Sequence, residues 1–147
     1  MAEVLKTIKA SGGDYSTLQS WENDITNTTY PDASTTAVGL MFDENYGNVA
    51  LTINYSASNV TKAILRPFPG EEHSGIAGTG PRIVRTATSG GGIVVVTDAV
   101  NPIDVLGLEV DGADQVIARL VSINYNGTNL TTFNRCILHD LTQTGAS

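Results

Sequence analysis

The sequence is poor in basic, aromatic and cysteine residues. It has 8 Lys and Arg residues against 15 Asp and Glu residues, which gives a formal net charge of −7. Binding to nucleic acid or to an anionic membrane requires clustered positive charge, so this balance argues against both partners. The single cysteine, Cys136, excludes an intrachain disulfide and a thiolate metal cluster. No apolar run approaches the ~18 residues that a membrane-spanning helix needs.

The residues that are present indicate one folded domain. The chain has 147 residues, of which 41% are hydrophobic and only 16% are charged. A disordered chain shows the opposite balance, and a chain of this length buries enough surface to fold without disulfides or metals. We therefore predict a single domain over residues 1–147, with an N-terminal strand and helix in 1–35 and β structure throughout 36–147.

Short segments rich in Ile, Val and Thr alternate with turn residues after position 36, and this pattern is typical of an all-β fold. An antiparallel sandwich and a parallel β-helix both fit such a pattern. The predicted strands cover residues 4–8, 37–42, 49–53, 63–65, 82–85, 93–96, 103–105, 108–110, 117–123, 131–133 and 136–138. Turns are predicted between them, including residues 89–92 and the segments after Val110 and Leu138.

An internal repeat favours the parallel β-helix. Residues 102–112 align with residues 130–140 at an offset of 28. Apolar residues then coincide, as the stacked interior of a β-helix requires. The predicted core pairs are Val105 with Phe133, Leu108 with Cys136, and Val110 with Leu138.

One segment has helical periodicity. Leu18, Trp21 and Ile25 fall on one face of a short helix. Ser16 and Gln19 have the spacing of a capping box, in which each side chain satisfies a free backbone N–H of the first turn. The first coil of a β-helix exposes its apolar interior, so we predict that this amphipathic helix caps that end.

Residues 13–22 resemble the N-terminal motif of right-handed parallel β-helix proteins of the pectin-lyase-like superfamily, a group common among phage and prophage structural proteins. Residues 64–70, 80–84, 107–112 and 135–140 resemble later parts of the same group. The resemblance implies a short, three-sided, right-handed parallel β-helix. Members of that group continue through more coils and then end in a cap, whereas residues 141–147 show no cap pattern. We therefore expect an uncapped C-terminal end. Three alternatives would explain it: another chain covers the end, an irregular tail closes it, or truncation created it.

Four polar residues form the candidate site. In the register of the repeat, Asp111 stacks on His139, with Glu109 and Asp140 beside them. Adjacent strands lie about 4.7–4.9 Å apart, close enough for these groups to share protons or contact a sugar. Paired carboxylates also catalyse glycoside hydrolysis, but Asp-Gly and His-Asp are equally ordinary turn residues. We predict weak carbohydrate-binding candidates here, with no catalytic residue, metal or cofactor.

Three functions are compatible with this sequence. The first is a non-enzymatic structural protein of a phage virion, in the tail, a spike or the capsid decoration. Its partners are then other virion or surface chains, in a trimer or a head-to-tail stack of copies. The second is a fragment of a polysaccharide-cleaving tailspike or lyase-type enzyme. The third is a carbohydrate-binding adhesin, outside the cell or at its surface, with a glycan as partner.

Overall fold

The computed structural model describes residues 2–26, 34–47, 51–54, 60–86, 89–97, 101–115, 117–124 and 130–140. Eleven strands and one short helix make up its regular structure. The elements are β1 (Glu3–Ile8), α1 (Leu18–Thr26), β2 (Thr35–Met41), β3 (Leu51–Ile53), β4 (Val60–Pro67), β5 (Arg82–Val84), β6 (Ser89–Thr97), β7 (Ile103–Leu106), β8 (Glu109–Asp111), β9 (Ile117–Asn124), β10 (Thr131–Asn134) and β11 (Ile137–His139). The nine-residue helix is too short to cross a membrane, and none of the described residues forms a longer one.

The strands form three sheets, and every strand pair in them is parallel. One sheet has the order β1-β2-β4-β7-β10, the second β5-β8-β11 and the third β3-β6-β9. From β4 onward the chain visits the three sheets in rotation, so each strand pairs with a strand from the next turn of the chain. The protein is therefore a short parallel β-solenoid, and the predicted all-β, parallel architecture is confirmed.

The strand register fixes which residues stack. Val105 pairs with Phe133 and Val110 with Leu138, each 28 residues apart. One coil earlier the spacing is larger, because Ala63 pairs with Ile103. The difference comes from residues 68–81, a long loop between β4 and β5 where later coils have a two-residue corner. We call this segment the corner loop.

The interior of the solenoid is apolar, and the helix lies at one end of it. Leu18, Trp21 and Ile25 are all buried and belong to the same core cluster as the strands. Trp21 lies against Gly39 of β2, where an added Cβ would stand 2.9 Å from the indole. The glycine therefore provides the room that the indole occupies. The remaining core positions are Ile8, Ala37, Met41, Leu51, Ile53, Val60, Ala63, Leu65, Ile83, Ile93, Val94, Val96, Ile103, Val105, Leu108 and Val110.

The predicted capping box is wrong in its residues. The helix begins one position later than the box requires, so Thr17 is the capping residue. The Ser20 amide donates to the Thr17 hydroxyl at 3.0 Å, and the Thr17 amide donates to the Ser20 hydroxyl at 3.3 Å. Ser16 and Gln19 do not form the predicted reciprocal pair among these hydrogen bonds.

Gln19 instead satisfies the edge of a sheet. Its side-chain amide donates to the Thr52 carbonyl at 3.1 Å, and its carbonyl oxygen accepts the Thr52 N–H at 2.8 Å. Glu22 adds a third bond by accepting the Asn54 N–H at 2.8 Å. The helix thus supplies β3 with the hydrogen bonds that a neighbouring strand would otherwise provide.

Several strand boundaries also differ from the prediction. Residues 89–92 continue β6 rather than forming a turn. Asp111 and His139 are the last residues of β8 and β11, and they pair with each other in the ladder. Extension of the ladder by one residue at these corners explains the difference. The predicted uncapped tail, residues 141–147, lies outside the described residues.

Candidate functional site

The four candidate residues meet on the outer surface of the second sheet. Val110 points into the core, so its neighbours Glu109 and Asp111 point outward. In the parallel register, His139 of β11 stands beside Asp111. Asp140 follows directly, in a left-handed backbone conformation with φ of 54°. The fold therefore brings together the residues that the repeat aligned.

Glu109 is buried, although it lies on the outer side of the sheet. Only 1% of the residue is exposed, because the corner loop covers it. The Gly78 N–H of that loop donates to both carboxylate oxygens, at 3.0 and 2.8 Å. His139 Nε2 lies 2.7 Å from Glu109 Oε1. A buried carboxylate is tolerated only with such donors, so the loop and His139 together stabilise it.

His139 lies between carboxylates on both sides of its ring. Its Nδ1 is 2.8 Å from Asp140 Oδ2, and its Nε2 faces Glu109. Carboxylates only accept, so both ring nitrogens donate when the ring is the positively charged imidazolium. Burial lowers the pKa of His139, but the hydrogen bonds to Glu109 and Asp140 and the negative charges of Asp111 and Asp140 outweigh it. The net effect raises the pKa of His139 above its usual 6.5.

The two aspartates hold the turns that follow the strands. Asp111 Oδ1 accepts the Ala113 N–H at 2.6 Å, which is the turn role considered from the sequence. The backbone carbonyl of Asp140 accepts the Asp114 N–H at 3.0 Å. Of the four carboxylate and imidazole groups in the cluster, the Asp140 side chain is the most exposed, at 54%. A glycan at this surface would therefore reach Asp140 first and Glu109 last.

A metal ion is the other occupant that these groups could hold. Glu109, Asp111 and His139 offer ligand atoms within 4.8 Å of one another, and all are ligand types that Zn²⁺ accepts. However, Glu109 approaches Nε2 of the imidazole, whereas Asp111 lies 3.8 Å from Nδ1. One imidazole nitrogen binds one metal, so a chelate would draw the two carboxylates to the same side of the ring. The observed arrangement therefore fits hydrogen bonding better than metal chelation, with His139 donating to Glu109 on one side and to Asp140 on the other. We call these contacts the His139 clamp.

The other predicted core residues lie in the core or at its margin, except Leu138, which is 48% exposed because no described strand covers the last coil. Phe133 and Cys136 are partly buried against the core cluster. The Cys136 thiol donates to the Val105 carbonyl at 3.5 Å, and burial raises its pKa. Tyr46 is half-buried, and its hydroxyl donates to the Ile8 carbonyl at 2.7 Å.

The sequence pattern did not reveal the corner loop as part of the site. The glycine-rich segment 75–80 reads as a plain turn, yet Gly78 donates to Glu109 and His73 contacts the Arg135 carbonyl. The available signal was the break in the 28-residue repeat, which indicates an insertion. An insertion at a solenoid corner lies over a sheet face, and its glycines allow close backbone approach.

Comparison with protein-family models, with curated proteins and with solved structures finds no match to this chain. The structure itself gives the class: among the described residues, the chain is a parallel β-solenoid with one short helix. It also defines the candidate site as a histidine–carboxylate cluster beneath a glycine-rich loop.

Proposed function

We propose that this protein is a non-enzymatic structural component of a phage virion, in a tail, a spike or the capsid decoration, and that it assembles with copies of itself. The resemblance of residues 13–22 to virion β-helix proteins supports this assignment, and so does the parallel solenoid. We also propose that the solenoid is right-handed and belongs to the pectin-lyase-like group. Assembly would use the coil formed by β9, β10 and β11.

One inward-facing column carries the proposal. Ile83, Val110 and Leu138 occupy successive coils of the second sheet at equivalent positions. The first two are 1% exposed, whereas Leu138 is 48% exposed. The exposure of a residue in a core position supports the proposal that a partner covers this end of the interior.

The backbone supports the same conclusion. In the described part of the chain, β9, β10 and β11 are each the last strand of their sheet. A strand at a sheet edge presents free N–H and C=O groups, which pair readily with another chain. Assembly at this edge would satisfy those groups and cover Leu138 together.

The experiment compares two leucines of equal exposure. Leu138 lies at the proposed interface, whereas Leu5 is 49% exposed on β1, in the first coil. Light scattering and native mass measurement should show an oligomer for the parent chain and for Leu5→Lys. Leu138→Lys should be a folded monomer, because a charge cannot be buried at the interface. A parent chain that is monomeric at all concentrations, or equal behaviour of the two variants, would refute the proposal.

A further inference from the structure

A groove lies where the corner loop passes over the corners of later coils. Its volume is about 360 Å³, within the range of small-molecule sites. None of the four residues of the histidine–carboxylate cluster lines it. The lining residues are Arg66, Pro67, Glu72, His73, Leu106, Gly107, Asn134 and Arg135.

His73 fixes the outer wall of this groove. Its Nδ1 accepts the Gly75 N–H at 3.1 Å, and its Nε2 contacts the Arg135 carbonyl. A carbonyl only accepts, so Nε2 donates this hydrogen bond. Both ring nitrogens are therefore occupied, and His73 holds the loop against the last described corner. We treat it as a positioning residue.

Arg135 adopts a backbone conformation that arginine seldom takes. Its φ is 53°, in the left-handed region. The equivalent position in the preceding coil is Gly107, with φ of 61°, and glycine adopts that region without strain. The same corner thus has glycine in one coil and arginine in the next. Strain of this kind is concentrated at functional sites, and here it falls on a residue that lines the groove.

The groove has more basic than acidic lining residues, whereas the protein as a whole is acidic. The chain carries a net charge of −7, yet two of its 8 basic residues, Arg66 and Arg135, line this one groove. Arg66 makes one long ion pair, 3.5 Å to Glu3, between side chains that are 39% and 46% exposed, which is a weak interaction. Arg135 has no ion pair among the described residues. The acidic lining residue, Glu72, accepts the Gly70 N–H of its own turn at 2.9 Å.

Arg66 lies in β4, and Arg135 lies in the corner that follows β10, with β7 between these two strands. Two strand spacings amount to about 9–10 Å, a gap that two arginine side chains can close around one anion. A carboxylate has two oxygens and one charge, and one guanidinium can saturate it. A phosphate monoester has about two charges and three terminal oxygens, which match two guanidiniums.

We propose that this groove binds a small phosphate-bearing ligand through Arg66 and Arg135. Asn134 supplies an amide for the remainder of the ligand, and Pro67 and Leu106 provide an apolar floor. The site is independent of the proposed virion function. Either a phosphate ester or free inorganic phosphate would supply the recognised group.

The test uses calorimetric titration at a pH above about 7, where a phosphate monoester carries nearly two charges. Glycerol phosphate, inorganic phosphate and uncharged glycerol are the probes. We expect saturable binding of the phosphates and none of glycerol. Tighter binding of the ester would show that the groove also recognises the organic part, and equal binding would identify a site for the free anion.

Three variants complete the test. Arg135→Gln and Arg66→Gln should each weaken phosphate binding at least about tenfold, because each removes charged donors from the anion. Arg119→Gln, at an exposed arginine of β9, removes the same charge away from the groove and should leave binding unchanged. Arg135→Gly should fold, since glycine suits the left-handed turn, and should lose binding. Absence of phosphate binding in the parent, or equal affinity in Arg135→Gln and Arg119→Gln, would overturn the proposal.

Discussion

Replacement of Trp21 by alanine tests whether the helix closes the core. Trp21 has no exposed surface and packs against strand residues of the first sheet. A buried indole removes about 150–250 Å² from water, worth about 4–6 kcal/mol at 25 cal/mol per Å². The alanine side chain still buries part of that area, so we expect Trp21→Ala to lower the free energy of unfolding by about 3–5 kcal/mol.

Gly39 provides an independent measure of the same contact. An added Cβ would stand 2.9 Å from Trp21 and 2.8 Å from both Ile8 and Leu65. We expect Gly39→Ala alone to cost about 1–3 kcal/mol through overpacking. In the Trp21→Ala background the methyl group enters the vacated space, so the double variant should lose less than the sum of the two single losses.

The assay is urea unfolding followed by far-ultraviolet circular dichroism, because the variant lacks the only tryptophan. Leu5→Ala, at a largely exposed leucine on β1, is the control, and its cost should stay within about 0.5 kcal/mol. An unchanged midpoint for Trp21→Ala would refute the capping role of the helix. Strict additivity of Trp21→Ala and Gly39→Ala would refute their direct packing.

Three further predictions use the same urea assay. The folded pKa of His139 is raised, so its contribution to stability is complete below the unfolded value of about 6.5 and is lost as the pH rises through the folded pKa. His139→Ala should therefore lower the free energy of unfolding by about 1.5–3 kcal/mol near pH 6 and by less near pH 9. An equal loss at both pH values would contradict the role of the charged imidazole between the carboxylates. Gln19→Leu should lower the free energy of unfolding by about 2 kcal/mol, because the Thr52 N–H and C=O lose their hydrogen bonds to the Gln19 side chain. A neutral result would exclude a stabilising role of Gln19 at the edge of β3. Gly107→Ala should cost at least about 1–2 kcal/mol at its left-handed φ of 61°, whereas Arg135→Gly should be neutral or stabilising, and the reverse order would contradict the equivalence of the two corners.

The stacking of the last two coils was predictable, whereas that of the earlier coils was not. The corners β7–β8 and β10–β11 each contain two residues, so the 28-residue offset of Val105 and Phe133 survives in the sequence. The corner loop lengthens the preceding coil, and the pairing of Ala63 with Ile103 cannot be found at the same offset. A constant coil length, more than residue identity, is what makes a solenoid visible in sequence.

The contacts of the corner loop lie beyond such reasoning. His73 contacts the Arg135 carbonyl, and Gly78 donates its N–H to the Glu109 carboxylate. In each contact one partner is a backbone group, which every residue possesses. Residue identity therefore does not reveal the pairing. The sequence shows only that residues 75–80 are rich in glycine, and the path of the loop over the sheet decides the rest.

The histidine–carboxylate cluster has the composition of an active site, but Glu109, its buried carboxylate, is committed to contacts within the fold. Glu109 is nearly inaccessible, and its carboxylate is occupied by a loop amide and by His139. A glycosidase needs one carboxyl group free to protonate the substrate and another free to attack or to activate water. Glu109 meets neither requirement while the corner loop covers it. The cluster instead joins β8, β11 and the loop through charge-assisted hydrogen bonds, and the same loop forms the wall of the arginine groove. Loss of the contact between His139 and Glu109 should therefore weaken the proposed phosphate binding indirectly, because it loosens the loop without changing the side chains of the groove.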